Sequence, residues 1–463
     1  MRLSRRAVVV LTAALLGPAL PSLATSSSGV VTPLVRSTAL AAGATTAQLA
    51  EGDQLVGITW ASGTAQVRVR WLTPQGWTAW EVPEDDSDVP VAQERASARA
   101  GTEPVWRPTG ATAVDVRVAG TARDLQLVRV ADGQAQRQLG LGGSDAHAAD
   151  GRGLLGNART RADWGADESL RSGKPSYASA VKAVVVHHTA GGNDYSPADV
   201  PKKIRADYAY HVKARGWSDL GYNIVVDKFG GIWEGRAGGL GRATIGAHAA
   251  GFNTGTLGVS LLGDMTKATP TDQAVRAISR VVAYAAVTWR FDPTGTVTLT
   301  SKGSPRYRSG TAVRLGRVQG HRDTGRTTCP GALYDRLGDL RAGAARLLDK
   351  APRITGVTVT GAPVRAPQPV VITAMLSHGA PWTAALRDAD GTVVARSAGT
   401  GSTSRLEWNG LRPAPGTEAG AAGAALVPAA PGRYTWAVRV DDGYHPADRR
   451  EDVVEVGLPF VPV

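Results

Sequence analysis

Cys329 is the only cysteine among the 463 residues of this chain. No intrachain disulfide can therefore hold the fold, and each domain must be stabilised by packing of its own apolar side chains. Hydrophobic residues make up 43% of the sequence, which is enough for packed cores. The length predicts roughly two to four domains.

The first residues have the layout of a secretory signal peptide. Three arginines lie within the first six residues, and residues 7–20 are an apolar run. A run of that length is too short to span a bilayer, which disfavours the alternative of a membrane anchor. Small residues predict cleavage after Ala24 or Ala41, so residues 1–41 are assigned to the signal; Arg5-Arg6 also permits a twin-arginine route. We expect a secreted protein.

The formal net charge of the chain is +12. A cationic exported protein fits a polyanionic partner such as a cell envelope. A nucleic-acid partner is not expected, because the sequence has no basic run and no aromatic-interleaved basic stripe.

Both ends of the chain alternate apolar and polar residues, as β-strands do. Residues 46–135 predict a β-sandwich, with clear alternation at 67–71, 114–118 and 125–130. Residues 354–463 contain about seven short candidate strands, the number expected of an Ig-like β-sandwich. The N-terminal module also holds five tryptophans, most of which we expect in its core although they could form a carbohydrate-stacking face: Trp60, Trp71, Trp77, Trp80 and Trp106.

The central part of the chain has a different pattern. Residues 136–157 are rich in Gly, Ala and Asp and predict a linker. Residues 158–350 then predict a mixed α/β domain, with buried strands at 181–186 and 257–262, a hairpin at 221–234, and helices at 271–289 and 331–350. The chain is therefore expected to be multidomain, with a central mixed α/β domain flanked by two β-sandwiches.

Five of the eight histidines fall in the central module together with Cys329: His187, His188, His211, His248 and His321. Neighbouring strand residues point to opposite faces, so only one of His187 and His188 should enter a given pocket. His321 ends another candidate strand, and the loop at 324–330 can fold Cys329 towards it. Two histidines and a thiolate leave the fourth position of a tetrahedral zinc open for water, which suits amide hydrolysis.

Two other roles for Cys329 remain open at this point. The thiol could be a nucleophile, because it lies just before a predicted helix whose N-terminus would lower the pKa of the thiol, and His321 could serve as its base. Alternatively, Cys329 is an inert buried residue among ordinary histidines. The spacing alone does not separate these possibilities.

A set of motifs occurs in a fixed order through the central module. They are RADWG at 161–165, VHHT at 186–189, GWSDLGYN at 216–223, EGR at 234–236, GAH at 246–248, GTLGV at 255–259, GHRD at 320–323 and CPG at 329–331. Together they resemble the peptidoglycan recognition protein and phage-lysozyme-type N-acetylmuramoyl-L-alanine amidase family. The resemblance covers about residues 158–350.

The resemblance implies a zinc ion held by His187, His321 and Cys329. Tyr222 falls at the family's catalytic tyrosine, and Thr327 falls where relatives place a residue that contacts the oxyanion. Four further residues match positions that line the muropeptide groove in relatives: Trp217, Arg236, His248 and Asn253. We expect His211 to be a packed histidine, and Glu234 to be a sheet-edge or substrate-facing residue.

The implied function is a secreted, cell-wall-associated zinc amidase that cleaves the bond between N-acetylmuramic acid and L-alanine in peptidoglycan, acting as a monomer. The alternative is a non-catalytic peptidoglycan receptor. Relatives of that type usually lack the cysteine and commonly have serine there, so Cys329 counts against it. Residues 237–241 replace a Gly-Trp pair that helps many relatives choose between diaminopimelate and lysine stems, so the stem preference is left open.

Overall fold

The computed structural model describes residues 30–86, 98–133, 135–136, 152–156, 158–350, 352–361, 369–414, 426–440 and 448–456. They form an N-terminal β-unit, a central α/β unit and a C-terminal β-unit. Strands and helices are numbered below in chain order.

The N-terminal unit is a β-sandwich. Its strands are β1 (Val30–Val31), β2 (Leu34–Ala39), β3 (Gly43–Gln48), β4 (Asp53–Trp60), β5 (Ala65–Thr73), β6 (Gly76–Trp77), β7 (Asp85–Asp86), β8 (Ala100–Thr102), β9 (Val105–Trp106), β10 (Ala113–Gly120), β11 (Gln126–Ala131) and β12 (Ala135–Gln136). The sheet β3-β10-β5-β6 and the sheet β2-β11-β4-β8-β7 share one apolar core. The sandwich begins before residue 46, because β2 pairs with β11 along its whole length.

The tryptophans of this unit serve mainly its packing. Trp60 and Trp71 are buried in the core, and Trp106 is half-buried at the edge facing the central unit. Trp77 is 39% exposed. The Arg70 guanidinium lies over the rings of both Trp77 and Trp80, at 4.8 and 4.5 Å from their centroids. Arginine therefore stacks on the outer tryptophans, and most of the set is not available as a carbohydrate-stacking face.

A short helix lies within the segment that the composition predicted to be a linker. Helix α1 (Arg152–Leu155) buries Leu154 and Leu155 in the main core of the central unit. The Arg280 Nε donates a hydrogen bond to the Leu154 carbonyl at 2.7 Å. These residues are thus part of the central unit, whereas residues 137–151 of the predicted linker lie outside the described residues.

The central unit is built on a five-stranded sheet. Its strands are β13 (Ala183–His188), β14 (Ile224–Val226), β15 (Ile232–Glu234), β16 (Thr256–Leu261) and β19 (Val318–Gly320), and a separate hairpin is formed by β17 (Thr296–Thr300) and β18 (Ala312–Gly316). The order is β15-β14-β16-β13-β19, and only the edge strand β15 is antiparallel to its neighbour. The carboxyl ends of parallel strands are where such sheets bind ligands.

Helices cover both faces of this sheet. Helices α3 (Asp272–Thr288) and α4 (Leu337–Lys350) pack on the face that carries Val184 and Val186. Helix α2 (Val200–Ala209), continued by a π-helical turn at Tyr210–Ala214, packs on the opposite face with Val225. No helix in the described part of the chain is long and apolar enough to cross a membrane.

The last helix of the central unit starts later than the sequence predicted. Residues Gly331–Arg336 form a 3-10 helix, and α4 begins only at Leu337. Gly331 has a φ of 60°, and a Cβ there would lie 2.3 Å from the Met265 carbonyl carbon. Both the left-handed backbone and the close approach require glycine. A residue with a φ of 60° cannot belong to a right-handed α-helix, so α4 cannot start at residue 331.

The C-terminal unit is a β-structure with two unusually long strands. Its strands are β20 (Ile354–Thr360), β21 (Val370–Arg387), β22 (Val393–Trp408), β23 (Leu411–Pro413), β24 (Leu426–Pro428), β25 (Gly432–Val440) and β26 (Asp448–Val456). The prediction of uniformly short strands was wrong for β21 and β22, which have 18 and 16 residues. They pair in a hairpin that continues past a register shift between Met375 and Ala380. The Ig-like assignment stays a prediction.

Candidate metal centre

His187 and His188 occupy the last two positions of β13, at the carboxyl end of the sheet. All six residues of β13 are buried, and His187 lies opposite Ser260 of the parallel strand β16. The alternation of a strand turns the two rings to opposite faces. The His188 Nδ1 accepts a hydrogen bond from the Met265 N–H at 2.9 Å, and His188 faces the α3 side. His187 faces the other side, where the site lies.

The GHRD motif builds the loop that carries Cys329. His321 follows β19 directly and opens a 3-10 turn, in which the Asp323 carboxylate accepts a hydrogen bond from the Gly320 N–H at 2.9 Å. The Arg322 backbone N–H donates to the Cys329 carbonyl at 3.0 Å, and its side chain donates to the carbonyl of Thr328. Arg322 therefore folds the loop back so that Cys329 returns to His321.

The structure brings His187, His321 and Cys329 together. One donor atom from each lies within 4.8 Å of the others, and His187 Nδ1 lies 3.8 Å from Cys329 Sγ. A tetrahedral zinc with ordinary nitrogen and sulfur bond lengths requires an N···S separation of about 3.6 Å. Two imidazoles and one thiolate are also the donor types that zinc prefers. The residues present fit a zinc ion.

The second ring nitrogen of His187 also has a partner. His187 Nε2 lies 3.1 Å from His248 Nδ1, and the two rings meet edge to face. Burial lowers the pKa of His187 well below its usual range, and the neighbouring imidazoles, His321 first, add to that effect. The ring is therefore neutral, as a metal ligand must be.

Tyr222 lies beside His187 just before β14 begins. Its ring centroid is 5.4 Å from that of His187, and the side chain is 6% exposed. His211 packs behind Tyr222 and accepts a hydrogen bond from the Gly221 N–H at 3.2 Å. His211 is therefore a packed histidine in this structure, outside the cluster of donor atoms.

Comparison with known proteins identifies the central unit. Residues 177–332 match the family model described as N-acetylmuramoyl-L-alanine amidase. Peptidoglycan recognition protein 1 of Bos taurus is 33% identical over 177 residues, which cover 38% of this chain and 79% of that protein. The chain belongs to the peptidoglycan recognition protein family.

The relatives of this chain include proteins named as amidases and proteins named as recognition proteins. The human N-acetylmuramoyl-L-alanine amidase is 32% identical over 160 residues, covering 33% of this chain and 23% of that protein. The solved structure of wild-type Drosophila PGRP-LB matches at 27% identity and a TM-score of 0.31, covering 39% of this chain and 92% of that one. Residues 21–140 match a second model, the Rv3811 N-terminal galactose-binding domain-like family. Family membership alone does not separate an amidase from a recognition protein.

The four residues expected along the muropeptide groove of this family are all buried: Trp217, Arg236, His248 and Asn253. Trp217 stacks on His211 with the ring centroids 4.5 Å apart. The Asn253 Oδ1 accepts hydrogen bonds from two backbone N–H groups, those of His248 and Ala249, at 2.8 Å each. The side chains thus hold the loops around the site together, and their contact with a substrate stays a prediction.

Gly258 explains why His248 can reach His187. A Cβ on Gly258 would lie 2.3 Å from the His248 ring, so this strand position must be glycine for the ring to pack on the sheet. The second glycine of the GTLGV motif therefore makes room for His248 beside the candidate metal ligand His187. Glu234 lies on the edge strand β15, as expected, and burial raises the pKa of its carboxyl group.

Thr327 does not have the environment expected of an oxyanion donor. Its hydroxyl donates a hydrogen bond to the Glu84 Oε2 at 2.6 Å and accepts one from the Cys329 N–H at 3.0 Å. The single hydroxyl hydrogen is directed at Glu84, so it is not available to an oxyanion in this arrangement. Glu84 belongs to the N-terminal unit, 243 residues away along the chain, and no motif in the sequence indicated it.

Proposed function

We propose that this protein is a zinc-dependent N-acetylmuramoyl-L-alanine amidase that hydrolyses the amide bond between N-acetylmuramic acid and L-alanine in peptidoglycan. The observation that carries the proposal is the convergence of donor atoms from His187, His321 and Cys329 within 4.8 Å. These three residues would hold the ion. When bound, zinc would polarise the scissile carbonyl and activate a water for attack.

The surrounding residues supply orientation and charge stabilisation in the proposed reaction. The contact from His248 fixes the ring of His187, 3.1 Å away, so that its other nitrogen faces Cys329. Tyr222, next to His187, donates a hydrogen bond from its phenol to the substrate carbonyl oxygen as that oxygen gains negative charge. A donor of this kind typically contributes a hundredfold or more, ~10²–10³, to the rate. Thr327 could take the same role only if its hydrogen bond to Glu84 opened.

A non-catalytic peptidoglycan-binding protein is the second candidate. Its support is that several relatives are named as recognition proteins, the bovine one among them. The cysteine counts against it, because a receptor needs the groove and not a complete set of metal donors. Binding of peptidoglycan without release of the stem peptide would support this candidate.

The helix argument for a thiol nucleophile is weaker than the sequence indicated. The sequence placed Cys329 at the N-terminus of a helix, but the residues after it form a 3-10 helix and α4 begins at Leu337. In the described part of the chain, no α-helix begins directly after Cys329. The Cys329 Sγ is buried and accepts a hydrogen bond from the His188 N–H at 3.4 Å, which holds the sulfur beside the donor atoms of His187 and His321, as a metal ligand requires.

We further propose that the protein is exported and that the signal is cleaved after Ala24. Cleavage after Ala41 would remove β1 and β2, and β2 pairs with β11 over six residues in the N-terminal sandwich. Loss of a paired strand would expose the edge of β11 and part of the core. Sequencing of the mature N-terminus distinguishes the two sites.

Mass spectrometry of the products from defined muropeptides tests the proposed reaction. We expect a free N-acetylmuramic acid carboxyl group and a stem peptide with an L-alanine N-terminus. Substrates with diaminopimelate and with lysine in the stem should be compared, because the sequence leaves that preference open. Intact muropeptide in every reaction, together with measurable binding, would favour the recognition protein instead.

A further inference from the structure

The N-terminal sandwich is docked on the central unit through helix α2. Leu55, Val128 and Val130 of the sandwich form one buried cluster with Ala206 and Tyr210 on α2 and the π-turn. The Tyr210 hydroxyl donates a hydrogen bond to the Thr102 carbonyl at 2.7 Å. Because α2 covers the same face of the sheet as the metal site, this docking places the sandwich beside that site.

Two ion pairs join the sandwich to the central unit. The Arg205 guanidinium binds Asp132 in a bidentate manner, at 3.0 and 2.8 Å. Lys267 pairs with Glu81 at 2.6 Å. These pairs act beside the apolar cluster and beside other contacts between the two units, such as the Arg215 Nε bond to the Arg99 carbonyl at 2.8 Å.

A cavity of about 1240 Å³ lies between the two units. Residues of the sandwich such as Arg68 and Glu84 line one side. Arg322, Thr327 and Thr328 line the other, which is the loop that carries Cys329. The interface therefore extends to the neighbourhood of the candidate metal ligands.

Among the described residues of the sandwich, Glu84 contacts this loop through a side-chain hydrogen bond. Its Oε2 accepts from the Thr327 hydroxyl at 2.6 Å, and its backbone carbonyl is fixed by the Glu103 N–H at 2.8 Å. Its Oε1 is buried and has no hydrogen-bond partner among the described residues. A buried carboxylate oxygen without a partner is unfavourable. Asp132 and Glu81 pair with cations of the central unit, whereas Glu84 accepts from the neutral Thr327 hydroxyl in the loop that carries Cys329.

We infer that Glu84 is a positioning residue of the metal centre, supplied by the N-terminal sandwich. The carboxylate takes the Thr327 hydroxyl hydrogen, which leaves an oxygen lone pair directed at the Cys329 N–H, 3.0 Å away. The hydrogen-bond chain from Glu84 through Thr327 thereby fixes the backbone of Cys329 and the direction of its sulfur. This inference rests on the proposed metal centre, and it makes the sandwich part of the active site.

Zinc affinity tests the inference without requiring catalysis. It is measured on the full chain by competition with a chromophoric chelator, and cobalt substitution adds the thiolate-to-cobalt absorption band as a reading of sulfur ligation. Mutation of a residue that hydrogen-bonds to a metal ligand typically lowers the affinity for the metal by about ten- to a hundredfold. We expect losses in that range for Glu84→Ala and for Thr327→Val. The double variant should be no worse than Thr327→Val alone, because both changes break one chain of contacts.

Two variants separate positioning from domain docking. Glu84→Gln keeps an acceptor oxygen for Thr327 and should restore zinc affinity to within about threefold of wild type. Glu81→Ala removes the ion pair to Lys267 and the hydrogen bond from the Trp71 Nε1 at 2.8 Å. Neither contact involves the Cys329 loop, so this variant should leave the zinc affinity and the cobalt band unchanged.

Wild-type zinc affinity and an unaltered cobalt band in Glu84→Ala would overturn the inference, as would an equal loss in Glu81→Ala. If the wild-type protein binds zinc but hydrolyses no muropeptide, the proposed amidase activity fails while the affinity series still decides the role of Glu84. If the wild-type protein binds no zinc, both proposals fail.

Discussion

The Nε2 of His187 lies 3.1 Å from the Nδ1 of His248, and both residues are buried. The other nitrogen of His187 lies 3.8 Å from the Cys329 sulfur, so the two ring nitrogens face different partners. A metal-ligating imidazole usually donates its second N–H to a fixed acceptor, which sets the tautomer and the ring orientation. His248 has the position of that acceptor.

Replacing His248 by alanine should therefore weaken zinc binding by about ten- to a hundredfold, because the His187 ring loses its orienting contact. KM for a soluble muropeptide should change little once the enzyme is saturated with zinc. Zinc competition and steady-state kinetics at saturating zinc measure the two effects. A large rise in KM with unchanged zinc affinity would instead support the substrate-contact role implied by the family resemblance.

Replacing Tyr222 by phenylalanine should lower kcat by ~10²-fold or more, because the phenol hydrogen bond to the developing oxyanion is lost. Zinc content should stay at the wild-type level, since Tyr222 is not among the three donors. Tyr195→Phe is the matched control. The Tyr195 hydroxyl accepts from the Lys228 N–H at 2.9 Å, away from the metal donors, so its loss should leave kcat unchanged. An equal kcat in Tyr222→Phe and wild type would exclude the assigned role.

Acid should destabilise the fold through His211. Burial, with the cations of Arg215 and Arg236 adding to it, lowers the pKa of His211 from 6.5 to about 3. Below pH 6.5 the unfolded chain takes up a proton that the folded imidazole refuses, so the stabilising contribution is complete above pH 6.5 and declines as the pH falls towards 3. Through this group alone, the free energy of unfolding would fall by up to ~1.4 kcal/mol for each pH unit in that window.

The His211→Asn variant isolates this effect, because asparagine can still accept from the Gly221 N–H but does not titrate. Its free energy of unfolding should fall less steeply than that of wild type between pH 6.5 and 4, by as much as ~3 kcal/mol over the interval. Denaturant unfolding at several pH values measures the difference. Parallel pH profiles for the two proteins would show that His211 is not the source of acid sensitivity.

The docking of the sandwich on α2 should be sensitive to one methyl group at Gly57. A Cβ there would lie 2.2 Å from the Tyr210 ring, so Gly57→Ala should destabilise the protein by about 1–3 kcal/mol through overpacking. Gly52→Ala is the control, because its Cβ would meet only Ala131 at an ordinary 3.6 Å and should change stability by less than about 0.5 kcal/mol. Equal thermal unfolding midpoints for the two variants would mean that the Tyr210 side chain can move aside at little energetic cost.

Local sequence patterns predicted most elements of the central unit, because each lies in one continuous segment. The strand predicted at 181–186 is found at Ala183–His188. The shift arises because two histidines extend the strand, and polar residues do not look like a buried strand in a hydrophobicity pattern. The burial of His187 is nevertheless consistent with the site face of the sheet, where it meets other imidazoles.

The C-terminal unit shows where local patterns mislead. The sequence predicted only short strands in this unit, yet β21 runs without a break from Val370 to Arg387. Pairing with β22 on both sides of the register shift keeps the chain extended there. A β-bulge of this kind depends on the partner strand, which the sequence of β21 does not contain.

The contact between Glu84 and Thr327 could not be predicted from the sequence. Glu84 lies in an acidic surface-like segment, and Thr327 lies in a motif of another unit. Their meeting depends on how the sandwich docks, which is set by an apolar cluster that includes Val130 and Tyr210. Long-range domain packing leaves no periodic signal in either segment.

Zinc content and amide hydrolysis, measured together in wild type and Cys329→Ser, test the central claim most directly. Wild type should hold about one zinc per chain, lose hydrolysis on treatment with a chelator and regain it when zinc returns. Cys329→Ser should lose most of its zinc and most of its hydrolysis, because the sulfur donor within 4.8 Å of the two imidazole donors is removed. Full hydrolysis by Cys329→Ser, in protein that holds no zinc, would contradict the account.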